Sequence, residues 1–330
     1  MNRASIVFAS LLALILPLSL LAGRVWIVPD VTANGWLILA ELRLPRAVLA
    51  IIIGAGLGAA GAAMQGYLRN PLADPGLFGI APMAALGAVA SFWLGAFIPP
   101  AFAAWSLPLL ALAGAGLGMA LLALIAGRTT SDAAAGAGGG IALFTLAGLM
   151  LASLAGALTA LAITLAPNPF ALSEIVLWLN GALTDRSWRE VWLAGPLVAA
   201  GIAVLMLTAR SLDALTLGED AARSMGLNPA RLLLLLVVGI GLTVGAGVAV
   251  AGIIGFVGLV VPHLVRPLTD RLPSSLIGPS ALAGACLVLA ADSIVRILPL
   301  VTELRLGIAL SLIGAPFFLW LLLRMRKGLL

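Results

Sequence analysis

RAVLAIIIGAGLGAAGAAMQGY, Arg46 to Tyr67, decides the class of fold. No charge falls between its first residue and its last. A helix needs about 20 mostly apolar residues to cross a bilayer, and this stretch supplies them. Gly54, Gly58 and Gly61 fall on close helical turns within it. Small residues let helix backbones approach in lipid, where packing rather than apolar burial holds helices together. AGAGLG, Ala113 to Gly118, repeats the pattern.

The rest of the chain agrees. Of 330 residues, 62% are hydrophobic and 9% charged. A soluble domain is about 45–50% apolar and about 25% charged, so water cannot be the main solvent here. Continuous apolar runs, rather than alternating ones, make the chain an all-α polytopic membrane protein and not a barrel. About ten spans are expected, over 4–22, 46–67, 78–97, 106–127, 141–166, 191–209, 231–251, 254–267, 277–297 and 306–324. The first reads as a retained span, because Ser5 to Ala22 is long for a signal peptide and lacks a clean cleavage site. The eighth is short, bears Pro262 and His263, and lies beside Gly252 and Gly255, which suggests a broken segment. SDAAAGAGGG, Ser131 to Gly140, reads as a loop or a frayed helix start.

Charge sets the orientation. With the N-terminus inside, the inner face holds Arg3, Arg69, Arg128, Arg210, Arg223, Arg231, Arg266, Arg271, Arg324, Arg326 and Lys327. The outer face holds fewer bases, among them Arg24, Arg186, Arg189 and Arg305, and these are matched by acids such as Asp292 and Glu303. The positive-inside rule then puts both termini in the cytoplasm of a cell whose inner membrane the chain crosses. The formal net charge of +5 comes from bases at span ends, with no stripe for nucleic acid.

Several chemistries are excluded. Lys327 is the only lysine, so there is no phosphate-binding loop and ATP cannot be hydrolysed by that route. His263 and Cys286 are each single, so neither a Ser-His-Asp triad nor a Cys/His metal site is available. His263 reads as a helix-end residue bonded to backbone. Span centres carry almost no ionisable groups, against an ion-coupled secondary transporter and an intramembrane enzyme.

LGEDAARSMGLNPAR, Leu217 to Arg231, is the polar exception. Glu219 and Asp220 suit the positive end of a helix dipole, and Arg223 its last turn. Gly226 suits the left-handed residue that ends a helix, and Asn228 with Pro229 caps and starts the next. A short rigid helix at the cytoplasmic face makes a docking lever; a solvated interfacial helix is the plainer alternative.

RLPRAVLAIIIGAGLGAAGAAMQGYLRNPLADPGLFGI, Arg43 to Ile80, resembles the FecCD family of ABC-importer permeases. So do LGEDAARSMGL, VAVAGIIGFVGLVVPHLVR (Val248 to Arg266), LAADSIVR (Leu289 to Arg296) and IGAPFFLWLLLR (Ile313 to Arg324), in order over nearly the whole chain. The resemblance implies the type II importer fold, a single permease domain with ten spans, and assembly as a homodimer. It implies two cytoplasmic ABC ATPase subunits, which carry the ATP and Mg, so this chain has no cofactor of its own. Leu217, Gly218, Glu219, Asp220, Ala221, Arg223, Met225 and Gly226 would then form the ATPase-coupling helix. A periplasmic substrate-binding protein would dock on exposed Arg43, Arg46 and Arg296. Asn70, Pro71, Pro75, Gly76 and Gly79 would support the pathway or its gate. Arg305 and the Ile141-Ala142-Leu143 stretch depart from the family pattern, the latter where the vitamin B12 importer has polar gate residues. The implied cargo is a metal chelate, with a ferric siderophore first and vitamin B12 or haem as alternatives.

Overall fold

The computed structural model describes residues 3–23, 33–130, 139–166 and 168–327, and these residues are overwhelmingly helical. Arg24, Asp30 and most of the Ser131–Gly140 stretch lie outside them. Twelve helices follow in order among the described residues: α1 (Arg3–Leu21), α2 (Gly35–Tyr67), α3 (Ile80–Leu94), α4 (Pro100–Thr130), α5 (Gly139–Thr164), α6 (Pro169–Leu179), α7 (Trp188–Leu215), α8 (Glu219–Ser224), α9 (Pro229–Ala251), α10 (Val257–Val265), α11 (Pro273–Ile297) and α12 (Leu306–Lys327). Eight of them are long and apolar enough to cross a membrane.

Every expected span has a helix, with two qualifications. The 78–97 span is a 15-residue helix between short 3-10 turns, and the 254–267 span contains only the nine residues of α10. The helix α6 was not anticipated. It is 11 residues long, too short to register as a span, although Asn168 caps it through Ala171 N–H and Pro169 opens it.

Two helices form the centre. In the most apolar windows of α2 and α9, 78% of residues are buried, against 11% in α1, which lies at the periphery. The helix α2 packs on α7, α10 and above all α11; α3, α4 and α5 form a second group, joined to the first through α9. The glycines of α2 explain the central contact. A Cβ on Gly54 would lie 2.3 Å from the Gly284 carbonyl oxygen of α11, and one on Gly58 2.0 Å from that of Ser280. Gly61 abuts α10 equally closely, at the Gly258 carbonyl. Backbone therefore meets backbone along one face of α2, as small-residue packing in lipid requires.

Gly58→Ala should cost at least about 2 kcal/mol, because the obstacle is a carbonyl that cannot swing away. Gly116→Ala, at a site with open space around it, should be neutral or stabilising by up to about 1 kcal/mol through helix propensity. Thermal denaturation of the two detergent-purified variants checks the contrast.

Candidate functional site

Three features lie along the molecule, with α8 at one end, a cavity in the middle and an arginine cluster at the other end. The α8 region folds as its local sequence dictates. Gly218 precedes the helix with φ +104°, and Glu219 and Asp220 occupy the first turn. At the far end Gly226 has φ +87° and donates to Arg223 O, while Leu227 N–H returns to Ala222 O at 3.0 Å. Asn228 then accepts from Arg231 N–H and starts α9. Only Ala222 is buried; Asp220, Ala221, Arg223, Met225 and Gly226 are exposed. Leu217 and Met225 are 67% and 66% exposed and flank the polar turn. Two large apolar side chains beside a rigid polar helix make a surface suited to another protein.

Glu219 also faces Arg69 across 3.9 Å. That contact brings α8 to the 69–79 loop. Within the loop, Asn70 Oδ1 accepts from Leu72 N–H, and Asp74 caps the 3-10 turn that Pro75 opens, accepting from Gly76 N–H at 2.7 Å. Gly79 has φ +79°, and a Cβ there would strike Leu151 of α5. Pro75 and Gly76, with Asp74, line a cavity of about 500 Å³. Its other walls come from α2, α3, α9, the 252–256 break, α10 and α12, including Ile53, Val248, Phe256 and Phe318. Asn70, Pro71 and Gly79 lie off this wall. The lining is almost wholly apolar, with Asp74 its one ionisable side chain among the described residues.

The opposite end corrects one expectation. Arg46 and Arg296 are not exposed; their side chains are 12% and 8% accessible. Arg46 is shared between two carboxylates, bonding Asp292 at 2.7 Å and 3.0 Å and pairing with Glu303. Arg296 pairs with Asp292 at 3.1 Å and donates to the Ser19 hydroxyl and carbonyl. Arg43, half-buried, donates to Leu20 O and Leu21 O, the last carbonyls of α1. Asp292 has no exposure at all, and buried charges persist only when paired. The arginines thus staple the ends of α1, α2 and α11 to the 298–305 loop. They still line a pocket of about 310 Å³ with Arg186, Asp185 and Thr184. His263 corrects a second expectation. Its Nδ1 has no partner among the described residues, and its ring packs edge-on to Phe317. No group of three or more potential metal ligands occurs among the described residues.

Glu303 reports on the cluster. Burial pushes its carboxyl up, but the hydrogen bond and charge of Arg46 outweigh that and hold it below the ordinary carboxylate value. A lowered value means its stabilisation is complete above about pH 4.3 and is lost as pH falls through the folded value. Acid should therefore lower the melting temperature of the wild type more than that of Glu303→Gln. Arg46→Met should cost about 3–5 kcal/mol by thermal denaturation, since it leaves Asp292 with one partner in place of two. Arg46→Lys should recover little, for an ammonium cannot span both carboxylates.

Comparison with known proteins fits this geometry. The FecCD transport family matches residues 11–324. Among curated proteins, the chain is 37% identical over 292 residues to the hemin transport system permease protein HmuU of Yersinia pestis, covering 88% of this chain and 85% of that one. It is 37% identical over 320 residues to the vitamin B12 import system permease protein BtuC of Klebsiella pneumoniae, covering 96% and 92%. A solved structure described as an inward-facing conformation of a metal-chelate type ABC transporter superposes with TM-score 0.86 at 29% identity, over 97% of this chain and 98% of that one. The chain belongs to the FecCD transport family, and is a membrane-spanning permease subunit of an ABC importer rather than an enzyme or an ion-coupled carrier.

Proposed function

We propose that the chain forms a homodimer in a bacterial inner membrane and moves a preassembled metal chelate inward by alternating access. Two separate ABC ATPases hold the ATP and Mg and grip α8 from the cytoplasm. The observation that carries the reading is the contact of α8 with the loop that lines the cavity. Glu219 meets Arg69, and the same loop supplies Pro75 and Gly76 to the wall. A displacement imposed at the docking helix therefore has a short physical route to the pathway. The apolar wall suits a bulky chelate carried without a strong binding site. The two named relatives carry hemin and vitamin B12 by their printed names. A ferric siderophore is the third cargo that the family resemblance implies, and it is put first as the commonest cargo of that family.

The end opposite α8 faces the periplasm in this reading, and a binding protein docks there. Its acidic groups would meet the pocket lined by Arg43, Arg46 and Arg296 in competition with Asp292 and Glu303. Such charges steer and orient a partner more than they hold it. Reversing Arg46 or Arg296 would break a buried ion pair, and a carboxylate at position 43 would face the α1 carbonyls, so Arg43→Gln, which removes the charge and keeps a donor for those carbonyls, is the readable variant. It should weaken binding-protein docking, more visibly at low salt.

The double change Glu219→Arg with Arg223→Glu should leave the permease folded and cut copurification of its ATPase about tenfold or more, the scale of losing a central interface contact. Uptake should fall with it; unchanged uptake would remove α8 from the coupling role. Binding of haemin, cyanocobalamin and a ferric hydroxamate to the cognate periplasmic protein separates the three cargoes.

A further inference from the structure

Among the buried polar side chains of the described residues, Gln65 alone is an amide. Gln65, 2% exposed, sits in the last turn of α2 amid alanine and glycine. Burying an amide in such surroundings is costly unless its donors and acceptor are satisfied. Here they are. Nε2 donates to Leu259 O at 3.2 Å and to Gly258 O at 3.4 Å. Oε1 accepts from Arg266 Nη2 at 3.1 Å. Gly258 and Leu259 open α10, Arg266 follows its end, and the amide therefore grips the short helix at both ends.

The surroundings tighten the grip. The Gln65 carbonyl accepts from Asn70 N–H at 3.2 Å, so one residue holds both α10 and the start of the 69–79 loop. A Cβ on Gly258 would lie 2.7 Å from Pro75 Cδ, so the loop and α10 are in direct contact. The break before α10 has a cost, for Phe256 takes a left-handed φ of +64°. Strain of this kind persists only where neighbouring groups enforce it.

We infer that Gln65 is a positioning residue for transport, locking α10 and the 69–79 loop into one block so that motion entering at Glu219–Arg69 moves the cavity wall. Gly258 and Leu259 are part of that wall, and Arg69 lies four residues beyond Gln65. Without the lock, the loop would shift while α10 stayed behind. The inference rests on the transport reading above and adds the part that delivers the motion.

The test uses the complete assembly of permease dimer, ATPase and binding protein in liposomes, and measures substrate accumulated per ATP hydrolysed. The probe is whichever of haemin, cyanocobalamin and a ferric hydroxamate the wild type accumulates. Gln65→Met keeps the volume and removes all three bonds, and should lower the ratio about three- to tenfold. Gln65→Glu keeps an acceptor for Arg266 but turns a carboxylate on the Gly258 and Leu259 carbonyls, and should lower it likewise; it decides the matter should Gln65→Met fail to assemble. A merely structural residue would lower uptake and hydrolysis together and leave the ratio unchanged, which overturns the inference. Wild-type vesicles that hydrolyse ATP yet accumulate none of the three probes would overturn the transport reading itself, and this inference with it.

Discussion

The molecule depends on one close approach, the backbone of α2 against the backbone of α11. Lipid tails give helices no reason to associate through apolar side chains, so van der Waals contact must do it, and contact is greatest where nothing projects. Gly54 and Gly58 provide that flat strip against Gly284 and Ser280. With the two axes fixed, α7 and α10 have a surface to pack on, and the cavity gains a rigid wall at Ile53 and Leu57. What surrounds the cavity can then be less regular. The 252–256 break, α10 and the 69–79 loop are all short, and irregular backbone at membrane depth is tolerated where it is buried in protein or lines a cavity.

Among the described residues, the ion pairs lie at the two ends and have different tasks. At the arginine end they close the structure, and Asp292 and Arg46 satisfy each other with almost no solvent. At the α8 end they are looser and more exposed, with Arg69 and Glu219 at the outer limit of an ion pair. A tight end and a compliant end fit a subunit pushed from one side, and the apolar middle gives the moving parts few specific bonds to break.

Legibility in the sequence followed the range of each interaction. The spans were readable because a bilayer imposes a length, and the turns around α8 because caps involve residues three or four apart; Gly226 and Asn228 take the conformations their types predict. The packing role of Gly54, Gly58 and Gly61 was readable from their spacing, though not their partners. The exposure expected of the arginine cluster was misjudged: Asp292 and Arg296 are one helical turn apart, a local signal, but Arg46 and Asp292 are 246 residues apart and nothing local marks that contact. Gln65 was passed over inside a glycine motif. The signal was present, a lone amide among residues that cannot bond it. The helix α6 is shorter than a membrane span and so leaves no length signal, while Asn168-Pro169 carries the mark of a helix start.

The stapled cluster also constrains how the chain is made. Its members run from Ser19 to Glu303, and the Arg46–Glu303 contact spans 257 positions. Ribosomes deliver α1 and α2 first, so Arg46 must wait until Asp292 and Glu303 have emerged. The first helices can enter the bilayer early, but their ends at the cluster cannot be sealed until α11 arrives with its aspartate. This end of the subunit is therefore completed only once α11 and the loop after it have been made, and a chain truncated before Asp292 would leave an arginine with nothing to hold.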